Sequence, residues 1–283
     1  MDYKTLKYQP GAIARVILNR PEKLNAQSWT MLNEMDHAFH AAVNNPEVHV
    51  IILSGEGRAF SAGHDLDSNE QVADHTKRTE PLTPFERSAL NWDIYVASHL
   101  RWRDLPKPTI AMVHGYCIFG GWMIASAMDF IFASEDALFT PTYGDYFTTS
   151  WDLGARKAKE ILYENRFMTA REAMTWGFVN RVYPAADLEK ETLAYAARVI
   201  ETGQFYTRTV KFAINQTMDM MGFSTSVRAV GEYFLRGTDS TSSPGRQTAG
   251  TPQEGRFRNL TGRVMKYLQE DGKKPHPHGL PPE

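Results

Sequence analysis

Short apolar runs alternate with longer stretches of helical periodicity through the first half of the chain. Ala14 to Leu18 (ARVIL) is a brief apolar run closed by Asn19-Arg20-Pro21. From Gln27 to Val43, residues Leu32, Met35, Phe39 and Val43 recur at helical spacing and predict a helix. His49 to Leu53 (HVIIL) is short and β-branched, as expected for a strand buried on both faces. Thr109 to Val113 and Phe130 to Ala133 have the same character, and between them Gly120-Gly121 opens a helix into WMIASAM. Phe85, Ala89, Trp92, Val96 and Leu100 mark one face of a helix predicted from Phe85 to Arg103, ended by Pro106 and Pro108. This strand–helix–strand repetition predicts an α/β fold with covered sheets.

After Gly154 helices dominate. ARKAKEILYENRF, TAREAMTWGFV, DLEKETLAYAARVIE and TRTVKFAINQTMDMM all read as helical, with one short strand between Val179 and Tyr183. Thr169 and Glu172 have capping-box spacing. From about Thr238 the chain is rich in Ser, Thr, Gly and Pro, with one weak helical pattern, GRVMKYLQE, and is expected to be mobile or docked on another subunit.

Composition narrows the function classes. The 283 residues carry 31 Lys+Arg against 33 Asp+Glu, a formal net charge of −2, which argues against a broad nucleic-acid surface. Apolar residues make up 42%, enough for a sizeable core. The single cysteine, Cys117, excludes an intrachain disulfide and a Cys-rich zinc site, and its apolar surroundings suit a small core residue. The N-terminus lacks the apolar segment of a secretory signal, and no run approaches the roughly 20 apolar residues that span a bilayer. The expectation is a globular cytoplasmic protein with no membrane or nucleic-acid partner.

Three segments carry candidate chemistry: RAFSAGHDL (58–66), VHGYCIFGGWMIASAMD (113–129) and TAREAMTWGFVNRVYP (169–184). Two of them contain a glycine turn before a helix. Glycine permits tight turns and close approach to a ligand, and a backbone N–H fixed in such a turn can face a developing negative charge. Stabilising an oxyanion in this way contributes on the order of 3 kcal/mol per donor.

With NRPEKLNA (19–26), and in this order, these motifs resemble the crotonase (enoyl-CoA hydratase/isomerase) superfamily over roughly residues 5 to 220. The resemblance implies a ββα spiral core, taken as residues 1–200, and a C-terminal helical region, 201–283, that builds trimers or hexamers. It implies an acyl-CoA substrate and no cofactor beyond the coenzyme A carried as its thioester. The two oxyanion donors map to the backbone N–H groups of His64 and Gly120. The His64 imidazole is either an extra donor or proton carrier, or a packed side chain with a structural hydrogen bond. Lys23 and Arg58 map to the phosphate and adenine end of CoA, and Leu24, Ala62 and Leu66 to the pantetheine channel. Asp65 stands among the substrate-binding positions, and its other reading, as N-cap of the next helix, is favoured.

The departures matter as much. Family hydratases use two glutamates; the first position is Met123 here, and a thioether cannot exchange protons. The second falls near Tyr143, in the altered loop YGDYFTTSWD (143–152). Asp145 is the first candidate for a general base, with Tyr143 as proton donor or orienting group; Asp145 as a mere turn residue is the equal alternative. Asp152 is expected to cap the helix of ARKAKEIL. Trp122 either narrows the acyl pocket or faces the core. Isomerisation or hydration of an unusual acyl-CoA leads, followed by hydrolysis of a thioester or carbon–carbon bond, and then by acyl-CoA binding without turnover.

Overall fold

The computed structural model describes residues 2–65, 68–141, 144–164 and 166–239. Strands β1 (Leu6–Gln9) and β2 (Ile13–Leu18) form an antiparallel pair, and the first helix, α1 (Trp29–Asn44), follows a short 3-10 turn at Pro21–Lys23. β3 (Val50–Gly55) and β4 (Ala59–Ser61) come next, then α2 (Asn69–Thr79), α3 (Pro84–Trp92) and α4 (Ser98–Arg103). β5 (Thr109–Val113), β6 (Tyr116–Ile118), α5 (Gly120–Ser126), β7 (Phe130–Ser134) and β8 (Leu138–Thr140) complete the middle of the chain. The remainder runs α6 (Thr149–Leu153), α7 (Ala155–Glu164), β9 (Met168–Thr169), α8 (Ala170–Thr175), β10 (Arg181–Tyr183), α9 (Leu188–Thr202), α10 (Gln204–Met220) and α11 (Phe223–Asp239).

Two sheets result. The larger has the order β1-β2-β3-β5-β7-β10 and is parallel apart from β1–β2; the smaller has the order β4-β6-β8-β9 and is parallel apart from β8–β9. The period of two along β3 sends Ile51 and Leu53 into the main core with α1, and Val50 and Ile52 into a second layer with Leu188 and Ala196 of α9. Both faces of the large sheet are therefore covered, which explains why its strands read as continuous apolar runs.

Two local expectations are corrected. The helix expected over Phe85–Arg103 changes register: Asp93–Ala97 is a π-helical turn, and Phe85 is 82% exposed because α3 turns it outward. Thr169 accepts from the Glu172 N–H at 3.2 Å, but the Glu172 carboxylate pairs with Arg166 instead of closing the box. A reciprocal capping box occurs at Thr83 and Glu86. The tail expectation for GRVMKYLQE lies outside the described residues.

Candidate active site

The first glycine turn leaves β4 through Ala62 and Gly63, where φ is +94°, a conformation that suits glycine. His64 then forms a parallel bridge with Gln27: Gln27 N–H donates to Gly63 O at 2.7 Å, and Asp65 N–H donates to Gln27 O at 2.9 Å. This pattern occupies residues 63 and 65 and turns the His64 N–H to the opposite side. Asp65 is buried and accepts from Arg20 Nη1 at 2.8 Å and from Ser68 Oγ at 2.7 Å. Burial opposes its ionisation, but the hydrogen bonds from Ser68 and Arg20 outweigh it and hold the carboxyl below its usual range. The cap of α2 is Ser68, not Asp65; Asp65 pins the turn to Arg20. Leu66 lies outside the described residues.

The second turn follows β6. Phe119 has φ +51°, uncommon for a bulky residue, and Gly120 begins α5 with no intrahelical partner for its N–H. The two turns touch. A Cβ on Gly63 would sit 2.9 Å from Ile118 O and 3.0 Å from Gly120 N. A Cβ on Gly120 would meet Gln27 Oε1 at 2.8 Å and the His64 ring at 3.0 Å. The Leu24 loop joins them, since Ala62 N–H donates to Leu24 O at 2.9 Å. Ala62 also borders a small apolar cluster with Tyr116, Ile118, Phe119, Leu138 and Phe167. Lys23 and Arg58 are exposed.

The altered loop brings Asp145 to the first turn, with Oδ2 3.8 Å from His64 Nε2, beyond hydrogen-bond distance. Asp145 is 8% exposed, and burial pushes its carboxyl up to about 7. Burial likewise pushes the His64 imidazole down to about 4, and neither ring nitrogen has a partner among the described residues. An uncharged imidazole therefore faces a carboxyl that titrates near neutrality. Tyr143 lies outside the described residues.

Several neighbours carry no signal in the sequence motifs. Gln27 supplies the clamp on His64, and its Nε2 donates to Ser61 Oγ at 3.0 Å. Ser61 Oγ donates in turn to Asn25 O, so it must accept from Gln27, and this fixes the amide orientation with Oε1 toward Gly120. Tyr95 comes from the π-helical turn, with its ring 4.8 Å from that of His64. Trp29 Nε1 donates to its hydroxyl at 2.6 Å. Below them His99 stacks on Tyr146, and both are fully buried.

Trp122 faces the core: it stacks on Phe178 at 3.5 Å and donates to Asp152 Oδ2 at 3.0 Å. Asp152 does not cap α7. It lies within α6 and also accepts from Ser126 and Thr148, and burial, opposed by these hydrogen bonds, pushes its carboxyl up to about 6. Met123 is 1% exposed in the main core, and Cys117 is buried there too. No cluster of metal-ligating side chains occurs among the described residues, and no described helix is long and apolar enough to cross a membrane.

Comparison with known proteins agrees with this architecture. The family model for enoyl-CoA hydratase/isomerase matches residues 9–235. A Mycobacterium tuberculosis protein described as an enoyl-CoA hydratase, EchA13, is 34% identical over 248 residues, covering 80% of this chain and 78% of the relative. The zebrafish (Danio rerio) mitochondrial enoyl-CoA hydratase domain-containing protein 3 is 34% identical over 212 residues, 71% of this chain and 68% of its own. Among solved structures, a probable enoyl-CoA hydratase from Mycobacterium thermoresistibile superposes with a TM-score of 0.75 at 38% identity, covering 84% of this chain and 99% of that one. An enoyl-CoA hydratase/isomerase from Xanthobacter autotrophicus Py2 gives 0.76 at 28% identity, covering 97% and 100%. With two parallel-rich sheets, touching glycine turns and a family match over most of its length, the chain belongs to the enoyl-CoA hydratase/isomerase family of the crotonase superfamily.

Proposed function

We propose that the protein processes an acyl-CoA thioester by stabilising an enolate or oxyanion between the His64 and Gly120 N–H groups, with Asp145 as the proton-exchanging side chain. The observation that carries this reading is the contact of the two glycine turns beside a buried carboxyl: Gly120 N is 3.0 Å from the Cβ position of Gly63, and Asp145 is 3.8 Å from His64. Two aligned backbone donors act on charge that develops during reaction, each contributing on the order of 3 kcal/mol. A carboxyl titrating at about 7 has both its acid and its base form present at neutral pH, the condition for efficient proton exchange. That property favours an enzyme over a protein that binds acyl-CoA without turnover.

Coenzyme A enters along the Leu24–Ala62 seam, with the apolar cluster at Ala62 and Phe119 beside the pantetheine and the exposed Lys23 and Arg58 near the phosphates. Tyr143 remains a candidate orienting group. With Met123 buried where family hydratases hold a glutamate, short straight-chain enoyl-CoA hydration is expected to be slow, and the preferred reaction is isomerisation, or hydration of a different acyl group.

The test is a panel of acyl-CoA esters with product analysis. Hydration or isomerisation keeps the thioester, thioester hydrolysis frees CoA thiol, and carbon–carbon hydrolysis creates a carboxylate. Asp145→Asn is expected to lower turnover about 10²–10⁴-fold on any active ester. Unchanged turnover in that variant removes Asp145 from the mechanism, and rapid crotonyl-CoA hydration by the wild type contradicts the reading of Met123.

A further inference from the structure

Tyr95 carries a hydroxyl with one direction already set. An indole N–H only donates, so the Tyr95 oxygen accepts from Trp29 at 2.6 Å and its own proton points elsewhere. No acceptor for that proton occurs among the described residues. The tyrosine sits in the π-helical turn Asp93–Ala97, an irregularity that re-aims side chains and often accompanies functional sites. Here it sets the ring edge-on to His64, at 4.8 Å and 67°. Burial, reinforced by the nearby Asp145 charge, raises the phenol well above its ordinary range, so it stays a donor at every working pH.

Charge limits what it can bind. Burial is the dominant cause of the shifts at both His64 and Asp145, and among the described residues neither is ion-paired with a Lys or Arg. Among the described residues a carboxylate-bearing acyl chain would find no paired counter-charge there, whereas a neutral oxygen would find a donor. We propose that the Tyr95 hydroxyl donates a hydrogen bond to the oxygen at the β-carbon of the acyl chain. That oxygen is the hydroxyl of a 3-hydroxyacyl ester or the water that adds to a 2-enoyl ester. This rests on the acyl-CoA reading above. With the thioester oxygen at the His64 and Gly120 N–H groups, the β-carbon lies two bonds beyond the carbonyl carbon, and Asp145 and Tyr95 are groups that meet the side chain of the same His64.

The test measures binding, not turnover. Ketone analogues of CoA esters, with a methylene between sulfur and carbonyl, are titrated calorimetrically in matched pairs of short, medium and aromatic chains. One member of each pair has a β-hydroxyl and the other hydrogen. Wild type is expected to bind the hydroxylated member of at least one pair fivefold or more tightly, and Tyr95→Phe to reduce that ratio below two. The ratio is read within each protein, so a general loss of affinity in the variant cancels. Equal binding of every pair by wild type overturns the inference without any variant, and so does a ratio that survives in Tyr95→Phe. In those cases binding of the analogues leaves the acyl-CoA reading standing. If no analogue binds wild type at all, both readings fall together.

Discussion

Gly63 shows how a single residue fixes the distance between the two turns. Its φ of +94° disfavours any side chain, and a Cβ there would press on Ile118 O and Gly120 N at 2.9 and 3.0 Å. Gly154 has a similar φ of +75° but nothing among the described residues within 4 Å of its Cβ position. Gly154, with ψ 155°, lies in a region open almost only to glycine, so Gly154→Ala is expected to cost about 1–3 kcal/mol of unfolding free energy through backbone strain alone. Gly63→Ala adds a clash to its strain, so it is expected to cost more than Gly154→Ala and to depress turnover by spreading the turns. Urea titrations of both variants check the contrast, and equal losses would mean that the turns are not tightly packed. Asp145 gives a prediction with a definite sign. Its carboxyl rises from 3.8 to about 7, so between those values the folded state holds a proton that the unfolded chain has released. That contribution to stability is full below pH 3.8 and is lost progressively as pH rises to and through 7. His64 runs the other way: its imidazole falls from 6.5 to about 4, so its contribution is lost as pH falls through that range. The two oppose each other in the wild type. Asp145→Asn removes only the first, so the variant should gain on the wild type between pH 4 and 8, by about 4 kcal/mol at most. A constant difference across that range would show that Asp145 titrates normally. The candidates His64 and Gly120 could be picked out because their motifs have a fixed order, whereas Asp145 was one of several polar residues in an altered loop and could equally have been a turn residue. Gln27 and Tyr95 were not legible, because their roles depend on side-chain direction across elements far apart in sequence, and no local pattern encodes that.

At the level of elements, legibility followed burial. β3, β5 and β7 are covered on both faces, so their apolar runs stood out, and Thr109–Val113 matches the expected strand in both bounds. β1 went unread because one four-residue edge strand with the pattern LKYQ carries little apolar signal. The Phe85–Arg103 stretch misled because the π-helical turn shifts the helical period, so the face expected from Phe85 onward is rotated and Phe85 points outward. Asp65 and Asp152 misled for a different reason: a carboxylate just before a helix has the composition of a cap, and only the fold decides whether it turns to its own helix or to Arg20 and Trp122. The start of α1 links an element to the site. Ser28 Oγ accepts from Met31 N–H at 3.2 Å and holds the helix end between Gln27 and Trp29, the two residues that touch His64 and Tyr95. Ser28→Ala is expected to lower unfolding free energy by about 1 kcal/mol and to reduce turnover through those neighbours. An equilibrium urea titration with the acyl-CoA assay checks both, and a loss of stability with turnover intact would separate the cap from the site.

For the whole molecule the informative surface is the C-terminal pair of helices. α10 has 17 residues and buries none of them completely. Ion pairs hold it to the body at Lys211–Asp129 and Arg103–Asp219, while Phe205, Phe212 and Met220 are 86, 64 and 81% exposed. On α11, Tyr233 is 83% exposed. Exposed apolar residues scattered singly need no explanation, but a helix with this many large ones and no completely buried residue has no partner for its apolar face among the described residues. The occupant we propose is the same face of further copies, building the trimer or hexamer that the family resemblance implies. Symmetric assembly would remove these side chains from water without any change in the catalytic half, because the polar anchors at Asp129 and Arg103 already fix the helix to the core. Sedimentation equilibrium at micromolar concentration is expected to give a mass three or six times that of the 32.1 kDa chain. The double substitution Phe205→Glu with Phe212→Glu places two charges in the face and should dissociate it to a smaller species that keeps its far-ultraviolet circular dichroism. A monomeric wild type would overturn the assembly, and a variant of unchanged mass would move the interface off α10.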